Sequence, residues 1–148
     1  MNDVETVTAM WDALGRRDWS GLAAFFGPQS IYYDVPLGPS AAAVGPEGIV
    51  ARLRLGIEPL AAYDHHHGVV STGEGGLVMV EHSETWTWGT DESVTLPIAT
   101  VHRVDDGVIT LWRDYWDYGT LMNAAPAWWV DQITNGDLSW LVDATDLL

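Results

Sequence analysis

Near residue 60 the spacing of apolar side chains changes from a helical repeat to strict alternation, and that change restricts the chain to one class of fold. Before it, Val4, Val7, Met10, Trp11 and Leu14 recur at three- and four-residue intervals between Asp3 and Trp19, the stripe of an amphipathic helix. A second short helix is predicted over residues 20–26, stopped by Gly27 and Pro28. Residues 30–35 (SIYYDV) are β-branched and aromatic and read as a strand that Pro36 ends, followed by a loop over residues 38–45. Pro46 and Glu47 suit a helix start, and Ile49, Val50, Leu53 and Ile57 supply its apolar stripe as far as Pro59.

Beyond Leu60, residues 63–71, 77–88, 94–104 and 108–118 read as four long strands. Their joints at 72–76, 89–92 and 105–107 are hairpin turns, the last carrying Asp106 and Gly107. Helices first and then an antiparallel meander is α+β order. Three helices and a strand against the concave face of a strongly curved sheet describe a cone with an open mouth, and residues 119–148 predict a helical tail broken at Asn135 and Gly136. Residues 1–148 form one domain in this reading, since there is no repeat, linker or second core.

At 148 residues such a domain buries roughly 70% of its unfolded surface and needs no staple. With no cysteine, no N-terminal basic-then-apolar leader and no apolar run near the ~20 residues of a membrane span, the expectation is a soluble cytoplasmic protein. The net charge of −15 repels nucleic acid and anionic lipid, so neither is an expected partner, and a small molecule is. Nine tryptophans line either a core or a pocket for an apolar ligand.

Strand parity sorts the polar groups, because successive side chains point to opposite faces. On residues 77–88 the even positions Val78, Val80, His82, Glu84, Trp86 and Trp88 form the buried face, with His82 and Glu84 about 7 Å apart along it. On the last strand Val108, Thr110, Trp112, Asp114, Trp116 and Tyr118 share a face, so Asp114 lies between two tryptophans; the other face, with Ile109, Leu111, Arg113 and Tyr115, offers a dimer surface. Tyr32 and Asp34 share a face of the first strand. Three strands thus aim acid–base groups where core residues belong, and such groups acquire the displaced pKa values that proton transfer requires. The competing interpretation is a structural network in which these groups satisfy one another.

Other chemistries are disfavoured. His65 and His67 would share a face of one strand, but two ligands without placed partners make a poor metal site. There is no phosphate loop, nucleophile elbow or dinucleotide fingerprint, so no cofactor is expected.

The segments VDDGVITLWRDYWD (104–117), GLVMVEHSE (76–84) and YYDVP (32–36) resemble the limonene-1,2-epoxide hydrolase family over roughly residues 3–124. That resemblance implies a cystatin-like cone with a mixed, mostly antiparallel sheet, shared with nuclear transport factor 2, ketosteroid isomerase and SnoaL-type polyketide cyclases, and dimerisation through the outer sheet face. It also implies that Asp114 is the base toward water, Glu84 the acid toward the epoxide oxygen, His82 the bridge between them, and Tyr32 with Asp34 the water holders. Trp86, Trp88, Trp112, Trp116 and Val80 would contact the substrate. The sequence departs from that family's pattern by placing His82 where it has arginine, Glu84 where it has aspartate and Asp34 where it has asparagine, so a fixed cation is exchanged for a group that titrates near neutrality. With three carboxylates around one histidine, at least one holds its proton near pH 7.

Three activities follow as expectations: hydrolysis of an epoxide on a terpenoid, steroid or polyketide-like substrate; SnoaL-like cyclisation or isomerisation without water; and non-catalytic binding of hydrophobic ligands.

Overall fold

The computed structural model describes residues 1–89 and 91–148; the turn expected at 89–92 includes Thr90, which lies outside them. Helix α1 (Asp3–Gly15) starts on a capping box between Asn2 and Glu5 and buries Val7, Met10, Trp11 and Leu14. The short α2 (Trp19–Ala23) is capped by Asp18, whose side chain accepts from the Gly21 amide. Strand β1 (Ile31–Asp34) is followed by a 3-10 turn at Pro39–Ala41, strand β2 (Ala42–Val44) and helix α3 (Gly45–Ile57). Then come β3 (Ala62–Thr72), β4 (Leu77–Thr87), β5 (Ser93–Asp105) and β6 (Val108–Tyr115). The tail carries α4 (Tyr118–Ala124), α5 (Ala127–Asn135), β7 (Leu141–Val142) and a closing 3-10 turn at Thr145–Leu147.

One mixed sheet runs β3-β4-β5-β6-β1-β2-β7, antiparallel except for the parallel pair of β1 and β6. Its concave face and α1, α3 and the tail enclose one core around Trp11, Ile49, Val78, Leu96 and Trp112. The α+β order and the four-strand meander are as the periodicity predicts. Asp106 (φ 47°) and Gly107 (φ 78°) both sit in the left-handed region that the β5–β6 hairpin turn demands.

Four expectations are corrected. The loop at 38–45 contains β2, too short and too rich in alanine to show an alternation. The tail is not wholly helical: β7 pairs with β2 and extends the sheet. The last strand stops at Tyr115 because the Asp117 side chain caps α4. Val108 and Thr110 do not share Trp112's buried face: Arg103 pairs with Leu111 and Val104 with Ile109, leaving Thr110 as a bulge that turns Ile109 into the core.

No described helix is long and apolar enough to cross a membrane.

Candidate active site

Tyr32, Asp34, Glu84 and Asp114 line one cavity of about 310 Å³ between the sheet and helices α3, α4 and α5. Register explains their meeting. Tyr32 lies opposite Trp112 and Asp34 opposite Asp114 across the β1–β6 pair, while Thr100 of β5 is paired with Asp114 on the other side. Glu84 faces Leu96 across β4–β5, so its carboxylate enters the same concave surface.

Each carboxylate accepts an indole N–H. Trp112 Nε1 donates to Asp114 Oδ1 at 2.7 Å, Trp86 Nε1 to Glu84 Oε2 at 2.8 Å and Trp116 Nε1 to Asp34 Oδ1 at 2.9 Å. The tryptophans beside the acids are therefore donors as well as apolar wall, which lowers the cost of burying a carboxylate. Asp34 also accepts the Tyr32 hydroxyl at 2.8 Å, and Glu84 Oε1 the Tyr63 hydroxyl at 2.6 Å. Thr100 Oγ1 donates to Asp114 Oδ1 at 2.8 Å, and no described residue donates to Asp114 Oδ2.

His82 is buried but outside the cavity lining. Its Nε2 meets Thr100 Oγ1 at 2.7 Å and its Nδ1 meets His65 Nε2 at 2.7 Å, so it stands behind Thr100 and does not bridge Asp114 to Glu84. Both of its ring nitrogens are taken by Thr100 and His65, and neither reaches a carboxylate. Val80 and Trp88 also leave the lining: Val80 joins the core, and Trp88 packs on Trp86 and Trp129 at 6.2 and 5.7 Å between ring centres. Trp86, Trp112 and Trp116 do line it, joined by Trp129 and Trp140 of the tail. His65 and His67 diverge, the one to His82 and the other to Asp12 at 2.8 Å.

The cation that sequence reasoning found missing comes from α3. Arg52 Nη2 lies 2.5 Å from Asp34 Oδ2, and its guanidinium packs over Tyr32 and Trp140. Its signal was present but weak: an arginine beside the apolar stripe of a helix in a chain with six cationic side chains.

Burial pushes the Asp114 carboxyl well above the usual carboxylate range, and the neighbouring Asp34 and Glu84 charges add to the rise. Burial also lifts Glu84 to about 7, against the opposing hydrogen bonds from Tyr63 and Trp86. Burial lowers His82 to about 3 and His65 to about 4, so both rings are neutral near pH 7. Tyr32 and Tyr63 are raised above 10, by burial first and then by the adjacent carboxylates, and remain donors.

Glu84 makes stability depend on pH with a defined sign. The folded state holds its proton up to about 7 and the unfolded chain only to the ordinary 4.5, so the contribution of Glu84 to stability is full below 4.5 and is lost as the pH rises to 7. At 1.4 kcal/mol per pH unit the loss is about 3 kcal/mol. Glu84→Gln should flatten this part of the profile, read from urea midpoints at pH 4.5 and 8; an unchanged slope would place the carboxylate in water.

Helices on a curved mixed sheet, with acid–base side chains at the base of the enclosed cavity, define the nuclear transport factor 2-like architecture. Within it the chain belongs to the SnoaL-like domain family, whose model matches residues 7–112. Similar solved structures include a Shewanella putrefaciens protein assigned as a SnoaL-like polyketide cyclase (20% identity, TM-score 0.72, covering 82% of this chain and 94% of that one). An LEH-like epoxide hydrolase of M. tuberculosis is 24% identical with TM-score 0.69, covering 82% and 87%. A Burkholderia pseudomallei protein of unknown function is 21% identical with TM-score 0.74, covering 86% and 99%. At these identities the solved structures establish the fold.

Proposed function

We propose that this protein is a cofactor-independent general acid–base enzyme that opens an epoxide on an apolar small molecule by adding water. The observation that carries the proposal is the pairing of two carboxyl groups in one tryptophan-walled cavity: Asp114, with one oxygen free of donors, and Glu84, held near pH 7. The two charges oppose each other, so near neutrality the pair holds one proton and presents one base and one acid. Asp114 Oδ2 takes a proton from water as the water oxygen bonds to an epoxide carbon. The carbon–oxygen bond of the ring breaks, and the ring oxygen takes the proton of Glu84. Tyr32, whose hydroxyl hydrogen is committed to Asp34, has its oxygen free to accept from the attacking water. About 310 Å³ is near the lower end of the roughly 300–1,000 Å³ of ligand sites, which favours the terpenoid end of the substrate range over steroids.

One observation favours a second reading, proton transfer within a substrate as in a SnoaL-like cyclase or isomerase: no cationic side chain of β4 joins Asp114 to Glu84. Solvent labelled with oxygen-18 separates the two. Under the leading reading a panel of cyclic epoxides, headed by 1-methylcyclohexene oxide, yields diol carrying one solvent oxygen; unlabelled, rearranged product supports the second. Pairing of two copies through the outer sheet face belongs to the same proposal, since Val69, Met79 and Tyr115 are exposed there.

A further inference from the structure

His65, His82 and Thr100 form a continuous hydrogen-bonded line that ends on Asp114 and lies outside the cavity. The hydrogen positions along it follow from elimination. Ionised Asp114 can only accept, so Thr100 spends its one hydrogen on Asp114 Oδ1. Thr100 Oγ1 must then accept from His82 Nε2–H, which leaves His82 Nδ1 to accept from His65 Nε2–H. The far end of the line, His65 Nδ1, is buried with no hydrogen-bond partner among the described residues. An unsatisfied buried ring nitrogen is costly and calls for a reason. His65 lies on β3, the edge strand, directly before exposed His66 and His67, and the His67 ring meets it edge-on at 4.8 Å.

We infer that His65, His82 and Thr100 are a proton relay that loads and unloads Asp114 along the α1-covered part of the same sheet face while substrate fills the cavity. A proton arriving at His65 Nδ1 releases the proton on Nε2 to His82 Nδ1. His82 passes its Nε2 proton to Thr100 Oγ1, and the hydroxyl hydrogen of Thr100 moves to Asp114 Oδ1. One proton enters and one arrives, both rings end neutral in the opposite tautomer, and every hydrogen bond of the line survives with its direction reversed. Unloading is the same sequence backwards and starts from the reversed line, reached when the carboxyl turns the proton taken up at Oδ2 toward Thr100 and the Thr100 hydroxyl and both rings turn over. Movement of His67 gives water access to His65 Nδ1. The relay matters most under the acid–base reading proposed above, on which it rests: each turnover leaves Asp114 protonated and Glu84 ionised, and the pair must be reset. Trp11 holds the line in place, stacked on His65 at 4.8 Å and edge-on to His82 at 4.5 Å.

Charged and titratable groups flank the line along its whole length. Asp34 and Tyr32 on β1, Tyr63 on β3, Glu84 on β4 and Arg52 on α3 act on Asp114. His102 on β5 faces His82, and His66 and His67 on β3 with Asp12 on α1 act on His65. Burial is the largest influence on both relay rings and keeps them uncharged, as the mechanism needs.

Nitrogen-15 NMR of the histidines in the unliganded protein tests the wiring without any substrate. As Asp114 titrates, the protonated nitrogen of both His65 and His82 should switch between Nδ1 and Nε2 in a single step, with neither ring becoming an imidazolium. Thr100→Val should uncouple the rings from Asp114 and Thr100→Ser restore the coupling; tautomers that stay fixed, or rings that charge independently, would overturn the relay. His65→Gln keeps a side-chain N–H for His82 but cannot pass a proton. With an epoxide that turns over, it should lower kcat about tenfold or more at unchanged KM and melting temperature, within the ~10²–10⁴-fold reach of positioned proton transfer. Full kcat in a folded His65→Gln protein overturns the relay and leaves the acid–base site standing. If no epoxide reacts, the epoxide reading falls, and the coupled tautomer switch alone decides the relay.

Discussion

Replacing Asp114 by Asn should reduce turnover of any epoxide the protein opens by about 10²–10⁴-fold, with the protein still folded. An asparagine is nearly isosteric, and its carbonyl oxygen can accept from Thr100 and Trp112 as Asp114 Oδ1 does. What is lost is a basic oxygen at the Oδ2 position, which no described residue occupies with a donor. Stability should not fall with activity, since burial already disfavours the ionised form of this carboxyl and the amide carries no charge to desolvate. Steady-state rates together with a thermal melt therefore separate a chemical role from a structural one. Equal losses of rate and melting temperature would assign Asp114 to a structural network, and undiminished diol formation would remove it as the base. A carrier of hydrophobic ligands predicts a third result, saturable binding that the substitution leaves unchanged and no product at all.

How far the site could be read in advance depended on whether each residue declares itself along its own strand. The alternation of β4 placed Glu84 and Trp86 correctly because an unbroken eleven-residue strand keeps its parity from end to end. In β6 the same logic held for Trp112 and Asp114 and failed for Val108 and Thr110, since a bulge inserts one residue and nothing in VITLW marks where. His82 was correctly placed on the inward face, yet its role depends on Thr100, a side chain of the neighbouring strand with no motif of its own. Arg52 was missed for a similar reason: helical spacing ranks it as a flank of the stripe of Ile49, Leu53 and Ile57, and only the docking of α3 over β1 brings it to Asp34. Strands β2 and β7 exist through their pairing with each other and with β1, a long-range contact that three alanine-rich residues do not announce.

The cation supplied by Arg52 has the second large expected effect. Asp34 is buried and lines the cavity, and Arg52 is its counter-charge, so Arg52→Met should leave a carboxylate in a low-dielectric wall with only the Tyr32 and Trp116 donors to support it. Breaking such a pair by removing one partner costs roughly 3–5 kcal/mol; with the Arg52 side chain still 20% exposed, water can reach the gap and about 3 kcal/mol is expected from urea unfolding. The guanidinium also touches Trp140, so the tail that closes the cavity should loosen and its tryptophan fluorescence shift with the first substitution. Adding Asp34→Asn to Arg52→Met removes the stranded charge and should recover most of the lost stability, because the asparagine oxygen can still accept from Tyr32 and Trp116. The double-substitution cycle decides between two causes: recovery locates the cost in the unpaired carboxylate, whereas an additive loss locates it in the packing of the arginine stem against Tyr32 and Trp140. Recovery of fold without recovery of turnover would then show that Asp34 serves the chemistry through its charge, as a negative neighbour that raises the proton affinity of Asp114.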